Sequence, residues 1–404
     1  MNSKDESISL EQVLQLATHQ NPQRKEADAG VKAAAEAITA REPLLPPPTF
    51  TVGSMGSSGP FSSSGHMETS FAISQTIPFP TKTFSNRSAL RSSLKATQAS
   101  EQAFTLELKN RVKKAYYAYL EASQKLSLLQ ELRGVYRHHL KRLRSGPVQD
   151  QLMKAHLMSA QTEIDLIQNE MIEATERLEI HRGELNVLIG KDAYAPLGNP
   201  ESRPLSPLPE KLDQKKFQEL SARHPELLAV DAGLQAVTAE RAAARSAWLP
   251  DFMLSYRVNR RYDTVPNNSE VMVGVSLPFV TFWQPRSQNA EMNARLDMAH
   301  AQQLQKQNEF SLRSLRTQAM LSSLHQQLIN LENRLVPQAK RRVDLVTSSS
   351  PTDMNYLDEH RAALEQYVKL KLQAVEKKTQ YEMAISELES LTNLSASDVS
   401  GAKE

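Results

Sequence analysis

The sequence predicts a mixed α and β fold that is mostly α, with long antiparallel coiled-coil helices and two β-hairpins in each chain. Three observations predict it. One stretch occurs twice in the same order. Period-two apolar patterns give way to heptad patterns within each copy. The 404 residues include only 13 glycines and 6% aromatics and are otherwise rich in Ala, Leu, Gln, Glu, Lys and Arg, a composition typical of long helices.

The duplication sets the domain plan. Asp28-Ala29-Gly30 recurs as Asp231-Ala232-Gly233, and Leu45-Pro46 recurs as Leu249-Pro250. Ile77-Pro78-Phe79 recurs as Leu277-Pro278-Phe279, and Ser145-Gly146-Pro147 recurs as Ser349-Ser350-Pro351. Four landmarks in one order at nearly one offset mark an internal repeat, which takes precedence over any local motif. The expected domains are a first repeat over 1–190, a linker over 191–212, a second repeat over 213–393 and a tail over 394–404.

Within the first repeat a helix is expected from Leu10 to about Arg41, broken at Asn21-Pro22, where proline fits a first helical turn. Prolines 46 to 48 end it. Alternating stretches at Thr49–Ser57 and Met67–Gln75 form a hairpin (49–76 with its loop), with Phe50, Val52, Phe71 and Ile73 on one face and Ser70 and Ser74 on the other. A helix of roughly 90 Å follows from Thr83 to Arg144 at 1.5 Å per residue. Its seam reads Leu108, Val112, Ala115, Tyr119, Ala122, Leu126, Leu129, Tyr136, Leu140, Leu143, interrupted by Arg133. A turn at 145–149 leads to a second seam, Ile164, Ile167, Met171, Ala174, Leu178, His181, Leu185, Leu188, capped by Gly190.

The proline-rich segment Lys191 to Lys211 is expected to be extended. The second repeat offers a helix Gln214–Trp248 broken at His224-Pro225 and a hairpin over 251–277 with Phe252, Leu254, Tyr256, Val258, Val271, Val273 and Val275 on its apolar face. A long helix from Gln284 to Val346, a turn over 347–353 and a last helix Met354–Thr392 complete it.

Composition excludes several classes. Net charge is +2, from 48 basic and 46 acidic residues, without the basic excess of a dedicated nucleic-acid binder. The absence of cysteine excludes disulfides, thiolate zinc sites, cysteine nucleophiles and a lipid-modified N-terminal cysteine. No apolar run of about 18 residues is present. The segment MNSKDESISLEQ has no apolar signal core, so an exported form is expected to be the mature chain, signal peptide removed. No nucleophile–base pair, phosphate loop or paired carboxylate pocket can be assembled, which predicts a non-enzyme without cofactors or metal. The 13 methionines are scattered and read as packing residues; His138 and His139 are adjacent on a helix and make a poor ligand pair, and His181 reads as a packed core residue.

Isolated hairpins are unstable in water. Strands of about ten residues, apolar on one face and polar on the other, fit a membrane β-barrel. Four strands cannot close around a pore, so several copies must contribute. A soluble coiled-coil scaffold explains the heptads equally well but leaves the four alternating strands, flanked by proline at matching places in both repeats, without a role.

With the duplicated helix–hairpin–long helix–turn–helix unit, the NP and HP helix starts, the LP entries and the PF exits, the chain resembles the TolC family of outer-membrane efflux channels from Leu10 to about Asn393. The resemblance implies a homotrimer whose protomers form a 12-stranded β-barrel in the outer membrane and a 12-helix α-barrel across the periplasm, loaded by an inner-membrane RND-type pump through a periplasmic adaptor protein. Ser74–Lys82 and Leu277–Ser287 look most like the heavy-metal cation branch, with a duct for organic compounds as the alternative. It further implies a gate at the periplasmic tip near Asp353, Asn355, Tyr356 and Asp358. The family often carries two aspartates three apart; here Asn355 replaces one, and Asp358 would supply a single ring of three carboxylates. The bland reading makes Asp353 and Asp358 charges that favour a helix N-terminus. Adaptor contacts are expected at the tip turns, Arg144, Ser145, Gly146, Pro147, Ser349, Ser350 and Pro351, beside the basic cluster Arg137, His138, His139, Lys141, Arg142 and Arg144. Helix dipole stabilisation explains that cluster without any partner. The junction prolines Pro46, Pro78, Pro250 and Pro278 remove donors where sheet becomes helix.

Overall fold

A computed structural model describes residues 7–41, 45–55, 68–145, 151–209, 219–220, 223–246, 248–261, 268–276, 283–348 and 354–393. The elements are α1 (Leu10–Gln20), α2 (Pro22–Arg41), β1 (Thr49–Met55), β2 (Glu68–Ile77), α3 (Pro80–Ser145), α4 (Gln151–Leu188), α5 (Pro225–Ser246), β3 (Asp251–Arg261), β4 (Asn268–Ser276), α6 (Trp283–Asn330), a π-helical turn (Leu331–Leu335), α7 (Val336–Ser348) and α8 (Met354–Thr392). They form two compact units, one from Met1–Glu26, Ala103–His224 and Asn308–Glu404, the other from Ala27–Gln102 and Pro225–Gln307.

Local chemistry explains the boundaries. Ser9 caps α1 in a reciprocal capping box with Gln12. The break at Asn21-Pro22 is real: Asn21 is buried, its Oδ1 accepts from the Arg24 N–H, and its Nδ2 donates to the Leu188 carbonyl at 2.8 Å. Pro80 opens α3 at its first position, three residues before the expected start. Gly190 has φ 80° and ends the α4 segment.

The first unit is a helical bundle. Leu108, Val112, Tyr119, Leu185 and Ile189 are buried with Val13 and Ala17 of α1, while Ala115, Leu178 and Leu188 pack at its margin. Farther along α3 and α4, Leu129, Tyr136, Leu140, Ile164, Ile167, Met171 and Ala174 form a second cluster. A third joins Leu321, Leu324 and Leu328 of α6 to Tyr381, Ala384, Ile385 and Leu388 of α8. The first two clusters follow the predicted seams, and two expectations about the helices are corrected. His181 is not a core residue; its side chain is about a third exposed and its Nδ1 lies 2.9 Å from Glu184. The helix expected without interruption over 284–346 is broken by the π turn, where the Val336 N–H reaches back to the Leu331 carbonyl. Pro337 stands one residue beyond. It lacks the N–H of a regular helix and its ring crowds the preceding turn, and a widened turn relieves both.

The proline-rich segment, expected to be extended, opens with a turn at Asp192–Ala195 before running on without helix, and it is tied down. Pro200 bridges Ile8 in parallel fashion, and the Tyr116 hydroxyl donates to the carbonyls of Ile8 and Glu201, each at 3.0 Å. The Ser206 N–H and hydroxyl both donate to Glu382.

The second unit contains one antiparallel sheet in the order β1-β2-β3-β4. Both hairpins exist, with β2 shifted to Glu68–Ile77 and β4 to Asn268–Ser276 relative to the expected spans. They pair with each other through β2 and β3, where Ser74 faces Ser255 and Phe71 faces Val258. Both hairpin loops lie outside the described residues.

Gly190 sits where an added Cβ would meet the Gln20 carbonyl oxygen at 2.5 Å, whereas Gly30 and Gly233 lie in helices with nothing within 4 Å. Gly190→Ala should therefore destabilise by at least about 1–2 kcal/mol from backbone conformation alone, and Gly30→Ala or Gly233→Ala should stabilise by about 0.5–1 kcal/mol. Opposite shifts of the thermal unfolding midpoint of the helical signal check both.

Candidate functional site

Strand alternation and register place one chemical character on each face of the sheet. Phe50 lies opposite Ile73, Val52 opposite Phe71, Leu254 opposite Val273 and Tyr256 opposite Val271. Phe71 neighbours Val258 and Ile73 neighbours Tyr256 across the central pair. The result is a continuous apolar face, and it is the uncovered one: Phe50 is 76% exposed and Val273 74%. The other face carries Ser70, Ser74, Ser255, Arg257, Asn259 and Glu270, with Ser255 only 3% exposed. On it the Ser74 hydroxyl donates to Ser255 at 2.9 Å and Arg257 pairs with Glu270 at 3.2 Å. A sheet in water shows the reverse arrangement, because apolar surface is favourably removed from water. β1 and β4 each leave an edge without a partner strand among the described residues.

The sheet-to-helix junctions are polar and braced. Pro46, Pro78 and Pro250 all lie in irregular backbone beside strand ends; Pro278 lies outside the described residues. The Gln75 Nε2 donates to the Pro46 carbonyl at 2.7 Å. Asp251 accepts from the Phe79 N–H and from the Lys82 Nζ, the latter at 2.9 Å, and ties β3 to the first turn of α3.

The tip residues are only partly described. α3 ends at Ser145, and Arg137, His138, Lys141 and Arg144 are exposed on its last turns. α8 starts at Met354, which places Asn355, Tyr356 and Asp358 in its first two turns. Asp353, Gly146, Pro147, Ser349, Ser350 and Pro351 lie outside the described residues. Among the described residues no group of three or more His, Asp and Glu could hold a metal ion, and no helix is long and apolar enough to cross a membrane.

Sequence reasoning missed an ionic hub in the first unit. Glu387 of α8 accepts from Asn110 of α3 at 2.8 Å and from Arg313 of α6 at 2.7 Å, and pairs with Lys114. Lys113 pairs with Glu389 one turn away. Burial works to raise the Glu387 carboxyl, but the donors Lys114, Asn110 and Arg313 outweigh it and hold the group at about 2. Nearby, His224 is buried against the Phe310 ring and its Nε2 donates to the Ser390 carbonyl at 2.6 Å. The available signal was the spacing of Glu387 and Ser390 beside the heptad seam, which alone cannot distinguish a buried pair from a solvated face.

The fold combines a helical bundle with an antiparallel sheet whose exposed face is apolar. The outer membrane efflux protein (OEP) family model matches residues 13–191. No curated relative matches the sequence. Among solved structures, the MtrE outer membrane channel of Neisseria gonorrhoeae in its open state has a TM-score of 0.80 at 17% identity, covering 95% of this chain and 89% of that one. A membrane protein from Pseudomonas aeruginosa has a TM-score of 0.79 at 16% identity, with 96% and 90% covered. VceC of Vibrio cholerae has 0.76 at 15% identity, with 96% of each chain covered. At these identities the likeness is one of fold. Channels of the matched family are transport ducts and not enzymes.

Glu387 tests the hub. Its folded value lies below the usual 4.5, so its stabilisation is present above pH 4.5 and lost as pH falls towards 2. Glu387→Gln should cost about 3 kcal/mol at neutral pH by leaving Lys114 and Arg313 under-compensated. The gap in urea midpoint between the two proteins should narrow between pH 4.5 and 2; a constant gap would assign the loss to packing.

Proposed function

We propose that this chain is the outer-membrane duct of a tripartite efflux system. It works as a homotrimer with a 12-stranded barrel and a 12-helix tunnel, and it is loaded by a periplasmic adaptor and an inner-membrane pump. The carrying observation is the sheet whose exposed face is apolar, whose other face is polar and whose two edges lack partner strands among the described residues. In lipid every backbone polar group needs a partner, so open edges require closure, and three copies of four strands supply it. Each half of the chain then serves as one repeat, with the segment after Gly190 joining them at mid-tunnel level. Heavy-metal cations are the proposed cargo, supported by the likeness of Ser74–Lys82 and Leu277–Ser287 to that branch of the family. Arg144, Ser145, Gly146, Pro147, Ser349, Ser350 and Pro351 form the proposed adaptor-docking tip.

Val273→Arg or Leu254→Arg should cost roughly 2–4 kcal/mol each near the bilayer midplane and reduce assembled trimer in the outer membrane. Thr51→Arg, on the polar face, should assemble normally. Heat-modifiable migration of outer-membrane fractions reads the outcome; equal behaviour of all three variants contradicts the barrel. For cargo, deletion should sensitise cells to heavy-metal cations and leave tolerance of organic compounds intact. The opposite pattern refutes the cargo and leaves the duct standing.

The gate reading makes Asp358 a ring of three carboxylates. Multivalent cations added on the periplasmic side should block single-channel current, and Asp358→Ala should weaken that block while the trimer still assembles, because an exposed cap residue costs only about 1 kcal/mol. Asp353→Ala is the control. An unchanged blocking affinity in Asp358→Ala reduces the residue to a helix cap.

A further inference from the structure

The exposed face of the sheet changes character along its length. Pairing sets its side chains in rows across the strands. At the strand ends joined to the helices the row is Ile77, Phe252 and Val275. Along β3 the stripe continues through Leu254, Tyr256 and Val258, and it then ends in Arg260. Arg260 shares its row with Thr69 and Ser54, beside the hairpin loops. It is exposed, and among the described strand residues it is the only charged side chain on this face.

Its height on the sheet is informative. Arg260 stands 8 residues beyond Phe252. At about 3.4 Å per residue that is roughly 27 Å along the strand. A barrel tilt of about 40° turns it into roughly 21 Å of height, close to the apolar band of about 25 Å that such barrels present. With Phe252 at one border of the band, Arg260 stands at the other. A charge in mid-band is strongly disfavoured. At the border the stem of arginine lies on apolar surface while its head reaches the lipid headgroups.

The neighbours of Arg260 are hydroxyls. Thr69 lies directly opposite on β2. Ser269 faces Val258 and is the diagonal neighbour on β4. Such partners stand about 5 Å and about 7–8 Å away between Cβ atoms, within reach of a long side chain. A guanidinium matches two oxygens of one phosphate with parallel N–H bonds. A flanking hydroxyl can donate to a third oxygen. A terminal phosphate offers three free oxygens and nearly two charges at neutral pH. A phosphodiester offers only two oxygens and one charge. Arginine with hydroxyls on both sides therefore suits a terminal phosphate.

We propose that Thr69, Arg260 and Ser269 form a lipid site that holds the terminal phosphate of a glycolipid in the outer leaflet. The leaflet follows from the duct reading, on which this site rests: the helices lie on the periplasmic side, so the loop ends of the strands face outward. Each copy in the barrel carries one site.

The test uses the full-length protein purified in detergent and mixed with lipid A, a glycolipid with terminal phosphates. Native mass spectrometry counts the lipid retained by the trimer. Lipid A should be retained in preference to the phosphodiester phosphatidylglycerol. Arg260→Gln should weaken its retention roughly tenfold or more, and Arg260→Lys should weaken it less, because charge remains without the planar fork. Arg257→Gln, on the opposite face, should bind as the unaltered protein does. Since Arg260 is exposed, both of its variants should still assemble. Assembled Arg260→Gln that retains lipid A undiminished overturns the site and leaves the duct intact. So does an equal loss in Arg257→Gln, equal retention of phosphatidylglycerol, or full displacement by millimolar inorganic phosphate. A folded chain that stays monomeric in detergent overturns the duct and the site together.

Discussion

Satisfaction of backbone hydrogen bonds away from water is the constraint on which the rest of this molecule depends. Its sheet exposes Phe50, Val52, Val271 and Val273 and keeps Ser74 and Ser255 covered. Such a surface is unfavourable in water and favourable in lipid. Once it is in lipid, the outer edges of β1 and β4 become intolerable unless another strand meets them. Four strands are too few for closure, which is why the duct proposed above takes its strands from several copies. The prolines flanking the strands and the Asp251–Lys82 brace carry that requirement into α3.

The helical unit answers a different constraint. Its seams join α3 to α4 and α6 to α8, and buried Leu, Ile and Tyr side chains account for most of the adhesion. Apolar contacts alone tolerate sliding by a heptad. The Glu387 hub, where one carboxylate receives Asn110, Lys114 and Arg313, fits only one alignment of α3, α6 and α8. Partly buried ion pairs contribute modestly to stability, and register is their best-attested use.

Much of this was legible in the sequence because it is periodic or punctuated. The break at Asn21-Pro22, the cap at Gly190 and the alternation of β3 all correspond to observed features. Long-range polar chemistry was not legible. Nothing local marks Glu387 as buried, or Tyr116 as the residue that fastens Ile8 and Glu201. His181 stands at a seam position yet faces Glu184, because a heptad frame drifts against the 3.6-residue helix. Pro337 was visible and overlooked; a proline inside a helical pattern signals an irregular turn, and here the chain widens at Leu331–Leu335.

The central pairing of β2 with β3 has a consequence for biogenesis. Ser74 and Ser255 are separated by 181 residues. The first hairpin is thus synthesised long before its neighbour exists, and each bond between the two closes a very large loop. During that interval Phe71 and Ile73 belong to a short aggregation-prone ribbon with an open edge. Correct pairing therefore requires that the early half stay apart from other chains until the late half arrives. Crowding of unfinished chains, more than the final stability of the folded protein, should therefore limit its yield.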